Sequence, residues 1–163
     1  MKNILENKII WIISFICIIF DQIIKFVINN NINLYDQNMI INNFFYITNV
    51  RNYGAAWSIL TGSRIILIIV TILIIFGLYY FFIRREKLKK HEKIIYGFLY
   101  GGIIGNLIDR IFRGYVIDYL EFYIFGYNFP VFNLADILIV ISMFFIIISV
   151  IKGDKDELIS KRK

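Results

Sequence analysis

The chain alternates long apolar runs with short polar ones. Four runs, Ile9 to Ile28, Ile65 to Ile83, Ile94 to Phe112 and Val131 to Ile151, are each about 20 residues long, enough to cross roughly 30 Å of hydrocarbon as a helix. The segment "IRREKLKKHEK" between the second and third runs holds six Lys and Arg, and the tail "KGDKDELISKRK" holds five. Lys and Arg collect on the cytoplasmic side of spans, so with Lys2 and Lys8 they predict both termini and the middle loop inside. Two regions then face outward, Asn29 to Arg64 and Arg113 to Pro130. In the first, "NNFFYITNVRNYGAAWSIL" mixes aromatic and β-branched residues with Asn and Gly, a pattern of short strands and turns. Trp57 reads as an interfacial anchor there. The fold class expected is an integral membrane protein, mainly α, with four transmembrane helices and a small extracytoplasmic β-like platform between helices 1 and 2. The whole of 1–163 reads as one membrane-embedded domain.

Composition agrees: 59% of residues are hydrophobic, against roughly 45 to 50% in soluble domains. The net charge of +6 lies beside the apolar runs and reflects topology, so no nucleic-acid partner is expected. One cysteine, Cys17, excludes an intramolecular disulfide, and one histidine, His91, excludes a multi-His or His/Cys zinc site within a single subunit. No metal or cofactor is expected. The first run starts like a signal sequence but lacks small residues at a cleavage position and carries Asp21 and Lys25, so it is expected to be retained. Gly97, Gly101 and Gly105 put a small-residue stripe on the third helix, which allows a close helix contact.

Ionisable residues at membrane depth need a partner, a wet cavity or a function. Asp21 and Lys25 fall in the outer half of the first helix. Asn106, Asp109 and Arg110 fall in the outer half of the third. Asn133 and Asp136 open the fourth, with Asp136 about 8 Å below an outer end at Val131 for a rise of 1.5 Å per residue. These clusters share one shallow layer while the inner halves stay apolar, which suits chemistry at a surface better than carriage across the membrane. Asp21 and Lys25, four apart, are placed to form an ion pair. Asp109 has Arg110 beside it and Arg113 four residues on, which suits electrostatic support. Asp118, in "GYVIDYL", has no local cation, and its nearest acid is Glu121. If this segment folds back towards the membrane, Asp118 meets Asp136. Two carboxylates in one partly dry space share a proton and supply an acid and a base together, as activation of water on an amide requires. A Ser/Lys pair of Lys25 with Ser58 or Ser63 ranks below this, as does a metal held by Asp109, Asp118 and Asp136. His91 lies in the basic loop, too remote for a Ser-His-Asp arrangement. A small proton-coupled transporter and a non-enzymatic membrane scaffold are the alternative classes.

Taken in order, "DQIIK" (Asp21 to Lys25), "RNYGAAWSIL" (Arg51 to Leu60), "GGIIGNLIDR" (Gly101 to Arg110), "GYVIDYL" (Gly114 to Leu120) and "FNLAD" (Phe132 to Asp136) closely resemble the motifs of the prolipoprotein signal peptidase family, signal peptidase II. The resemblance implies an aspartyl endopeptidase of the bacterial cytoplasmic membrane that cuts diacylglyceryl-modified prolipoproteins immediately before the lipidated cysteine. It places the catalytic pair on Asp118 and Asp136. It makes Asp21, Lys25, Asn52, Gly54, Asn106, Asp109, Arg110, Asn133 and Ala135 substrate-binding or supporting positions. Its partners would be lipid-modified prolipoproteins and membrane lipids, with a monomer near the outer leaflet as the working unit. Ile103, where many members have a small residue, and Tyr119, where many have Phe, depart from the pattern.

Overall fold

A computed structural model describes residues 7–55, 59–84 and 88–160. Trp57, Ser58 and, in the basic loop, Arg85, Glu86 and Lys87 lie outside the described residues. Among the described residues four helices are long and apolar enough to cross a membrane: α1 (Lys8–Asn31), α2 (Arg64–Leu78, continued by a π-helical turn to Ile83), α3 (Lys90–Phe112) and α4 (Leu134–Ser160, apolar to Ile151). Their outward faces carry Phe15, Phe76 and Phe144, all exposed, as helices solvated by lipid would.

α3 is the central helix and touches the other three. Its glycine stripe explains how α1 comes so close. A Cβ on Gly101 would stand 2.5 Å from Cys17 Cβ, and one on Gly105 would stand 2.7 Å from Asp21 Oδ2. Ser14 Oγ closes the same seam by donating to the Gly97 carbonyl at 3.0 Å. Ile103 sits in the apolar core with Ile10, Leu99 and Tyr100, so its larger side chain is accommodated. By contrast α2 is barely buried and is held by scattered polar anchors, including Tyr100 Oη donating to the Ile75 carbonyl at 3.0 Å.

The outer regions build one four-stranded antiparallel sheet in the order β1-β2-β3-β4: β1 (Gln37–Ile41), β2 (Phe45–Asn52), β3 (Val116–Ile124) and β4 (Tyr127–Asn128). The platform expected between the first two helices is therefore completed by the second outer region, whose β3 pairs with β2. The β3–β4 hairpin turns through Phe125 and Gly126, both at positive φ, as a two-residue hairpin loop requires.

Two local devices aim this sheet at the helices. The β2–β3 register shifts between Ile47 and Val50, and within that irregularity Asn49 Nδ2 donates to the Ile32 carbonyl at 2.8 Å, tying the sheet to the end of α1. Phe132 bridges to Leu120 of β3 immediately before α4 begins. The fourth helix thus starts at Leu134 and not at Val131, because residues up to Phe132 are spent on strand pairing. Asp136 stands on the first turn, about 3 Å along the helix at 1.5 Å per residue, rather than 8 Å.

Candidate active site

The polar layer has a buried ionic base and a half-open carboxylate tier above it. In the base, Lys25 Nζ lies 2.9 Å from Asp21 Oδ2 and 3.0 Å from Asp109 Oδ2, and all three side chains are fully buried. Arg113, not the adjacent Arg110, forms the second ion pair of Asp109. A turn of helix separates i from i+4, which puts Asp109 and Arg113 on one face and sends Arg110 elsewhere. Gln22 fills the space between: its Nε2 is 3.1 Å from Asp109 Oδ1 and 3.2 Å from Asp21 Oδ2, while its Oε1 accepts from Arg113 at 2.8 Å. Two carboxylates and a lysine out of water, with the part-exposed Arg113 beside them, are tolerable only with this degree of pairing.

Asn106 connects the base to the tier above. Its Oδ1 accepts from Lys25 Nζ at 2.9 Å, which fixes the amide so that its Nδ2 donates to Asp136 Oδ1 at 2.8 Å. A lysine can only donate, so the orientation of this amide follows from its partner.

Asn133 joins the two carboxylates of the upper tier. As the cap of α4 its Oδ1 accepts from the Asp136 N–H at 3.0 Å, and its own N–H donates to Asp136 Oδ2 at 3.1 Å. This reciprocal pattern is that of a capping box, with the acid three residues after the cap. Its Nδ2 also donates to Asp118 Oδ1 at 2.6 Å. Asp118 Oδ2 accepts from Asn52 Nδ2 at 2.9 Å across the β2–β3 pair. Asn52 in turn accepts from the Gly54 N–H at 2.9 Å, and Arg110 Nη2 donates to the Gly54 carbonyl at 3.0 Å. Ala135, beside Asp136, is fully buried, and a Cβ on Gly102 would come within 2.5 Å of its carbonyl oxygen.

Asp118 is 3% exposed. Burial first, and the Asp136 charge second, push its carboxyl up to about 7, against the opposing pull of the Asn52 and Asn133 amides and of Lys25. An Asp that holds a proton near neutrality beside a second Asp is an acid–base pair in the making.

Asp21, Lys25, Asn52, Gly54, Asn106, Asp109, Arg110, Asp118, Asn133, Ala135 and Asp136 all lie in this network or pack directly against it. Glu121 does not: it is on the other side of β3, where Gln37 Nε2 and Asn128 Nδ2 donate to it at 2.8 and 3.1 Å. Of the Ser/Lys alternatives, Ser58 lies outside the described residues, and Lys25 bonds to Asp21, Asp109 and Asn106 rather than to Ser63. Gln22 and Arg113 were not singled out as site residues; an i+4 match to Asp109 signals Arg113, whereas the partners of Gln22 on α3 have no local sequence signal. Tyr119 also has a task here, for its hydroxyl accepts the Leu134 N–H at 3.1 Å, satisfying a donor of the first turn of α4.

The sequence model of the family described as signal peptidase (SPase) II matches residues 13–152. The chain belongs to the signal peptidase II family. The lipoprotein signal peptidase of Staphylococcus epidermidis is 39% identical over 163 residues, covering 100% of this chain and 99% of the relative. That of Staphylococcus aureus is 40% identical over 146 residues, 90% of each chain. Among solved structures, a bacterial membrane enzyme determined by the in meso method at 2.3 Å superposes with a TM-score of 0.83 at 37% identity, covering 90% of each chain. A second, at 1.9 Å, gives 0.78 at 38% identity over 88% of this chain and 92% of the other. The chain is thus an aspartic peptidase of the signal peptidase II type, acting on lipoprotein signal peptides, and a multi-pass protein of the bacterial cytoplasmic membrane.

Proposed function

We propose that Asp118 and Asp136 are the catalytic dyad and that the cut falls immediately before the diacylglyceryl-modified cysteine of the prolipoprotein. The observation that carries this reading is the juxtaposition of the two carboxylates on Asn133, one buried in a strand and one on the first turn of α4. Asp136 takes a proton from water as the water oxygen attacks the scissile carbonyl carbon. Asp118 gives its proton to the carbonyl oxygen; as the tetrahedral intermediate collapses, Asp136 passes the proton it took from water to the amide nitrogen, Asp118 recovers a proton from a hydroxyl of the intermediate, and the C–N bond breaks to release the amine. The signal peptide ends in a new carboxylate, and the modified cysteine becomes the new amino terminus.

Around the dyad, Arg110 and Asn52 hold Gly54 and the peptide-facing edge of β2, while Asn106, Asn133 and Ala135 fix Asp136. Asp21, Lys25 and Asp109 act from beneath as a charged foundation. Both termini lie in the cytoplasm and the dyad near the outer leaflet, where acyl chains on the substrate would hold the scissile bond at the depth of the polar layer. One domain and one protomer suffice, since all these residues come from a single chain.

The test is cleavage in mixed micelles by purified protein, using a precursor peptide with or without diacylglycerol on its cysteine, in the presence of EDTA. The expected products, read by mass spectrometry, carry the modified cysteine at the new amino terminus. Equal cleavage of the unlipidated peptide would overturn the substrate assignment, and EDTA-sensitive cleavage restored by a divalent ion would overturn the metal-free dyad.

A further inference from the structure

Arg64 is the first residue of α2, where a cation is disfavoured by the dipole of its own helix. No acid occupies that first turn and the Ser63 side chain makes no capping bond there. The guanidinium instead reaches the neighbouring helix. Nε donates to the Arg110 carbonyl at 2.7 Å and Nη2 to the Ile111 carbonyl at 2.7 Å, at the C-terminal end of α3, where carbonyls lack helical partners and a cation is favoured. Gly114, at φ +86°, leaves room for it: a Cβ there would stand 3.4 Å from Arg64 Nη1.

The connection from β2 to α2 is closed at its neck by the Gly62 N–H donating to the Tyr53 carbonyl. Both feet of this loop end on the same residue of α3. One foot is Gly54, held at 3.0 Å by the Arg110 side chain; the other is Arg64, which holds the Arg110 backbone. From Gly54 the chain of bonds continues through Asn52 to Asp118.

We infer that Arg64 is a positioning residue for the peptidase reaction, a strut that fixes the last turn of α3 against the β2–α2 loop and thereby holds Asn52 on Asp118. α2 is buried over only 6% of its apolar window, so the strut stands in for the packing that this helix lacks. The inference rests on Asp118 and Asp136 being the dyad.

The experiment compares Arg64→Ala, Arg64→Lys, Asn52→Ala, the Arg64→Ala/Asn52→Ala pair and Asp118→Asn, all purified and scored per folded enzyme on the lipidated peptide. Arg64→Ala should lower kcat about tenfold with little change in KM, and should add little in the Asn52→Ala background, since the two lie on one path. Arg64→Lys, with a single donor group, should recover part of the loss. The groups that face Asp118 are Asp136 on α4, Lys25 on α1 and Arg110 on α3, besides the Asn52 and Asn133 amides. None of the charged groups is altered, so loosening Asn52 should move the basic limb of the pH profile upward. Wild-type kcat in Arg64→Ala, full additivity with Asn52→Ala, or a fall in thermal stability with no shift in the pH profile would overturn the strut. Should Arg64→Ala not fold, Arg64→Lys carries the same comparison. An active Asp118→Asn would instead remove the dyad reading, whereas an inactive Asp118→Asn beside a wild-type-like Arg64→Ala removes the strut alone.

Discussion

Asn133 Nδ2 donates to Asp118 Oδ1 at 2.6 Å, while the Asn133 backbone N–H donates to Asp136 Oδ2 at 3.1 Å. One residue thereby sets the distance between the two carboxylates and caps the helix that carries one of them. Asn133→Ala should lose the side-chain cap, at a cost of about 1 kcal/mol, together with the bond to Asp118. A fall in kcat much larger than that stability loss explains is the expected outcome, measured as turnover per folded enzyme against apparent Tm. Equal kcat in Asn133→Ala and the unaltered enzyme would show that the amide is only a cap.

Asp118→Asn and Asp136→Asn preserve shape and remove the exchangeable proton. Each should lower kcat by about 10²- to 10⁴-fold, the usual worth of a positioned acid or base, while substrate still binds. Single-turnover assays and binding of lipidated peptide separate the two effects. Retained turnover in either variant would exclude the dyad.

In the proposed mechanism the acid of this pair must be protonated before the reaction starts. With the Asp118 carboxyl raised to about 7, chiefly by burial and then by the Asp136 charge, the protonated fraction falls as pH rises through that value. The kcat/KM profile should therefore lose activity on its basic side near pH 7. Asn52 donates to the anionic form, so Asn52→Ala should destabilise the anion, raise this carboxyl further and move the basic limb up. A limb that moves down, or stays fixed, would place the titration on another group.

The polar layer was legible because ionisable residues in apolar runs have few ordinary explanations, and because each local rule pointed the same way. Asp21 and Lys25 pair as their i,i+4 spacing suggests, and Asp118, with no cation beside it in sequence, is pushed up. Strand β3 was harder to foresee. Its partner β2 lies beyond two transmembrane helices in the chain, and "VIDYLEFYI" shows no clean alternation because Val116 to Tyr119 are buried on both faces. The start of α4 was misjudged by three residues for a related reason: Val131 and Phe132 are as apolar as the span, but Phe132 pairs with Leu120, 12 residues back, and no local pattern reports that bridge.

The buried base should respond in the opposite way from the dyad. Lys25→Met leaves Asp21 without its cation in a fully buried position, while Asp109 keeps Arg113. Removing one member of a buried ion pair costs about 3 to 5 kcal/mol, because the remaining charge is neither solvated nor matched. Adding Asp21→Asn removes that orphaned charge, so Lys25→Met/Asp21→Asn should be more stable than Lys25→Met alone. Asn106 loses its Lys25 donor in both variants but still receives one from Asn133 Nδ2 at 3.3 Å, and its own Nδ2 still reaches Asp136. Turnover per folded molecule should then fall less than stability, the reverse of Asp118→Asn and Asp136→Asn. Thermal denaturation in detergent, paired with kcat on the lipidated peptide, resolves the two patterns. If Lys25→Met abolished turnover without lowering Tm, Lys25 would belong with the reacting groups, and the division between a charged foundation and a carboxylate dyad would fall.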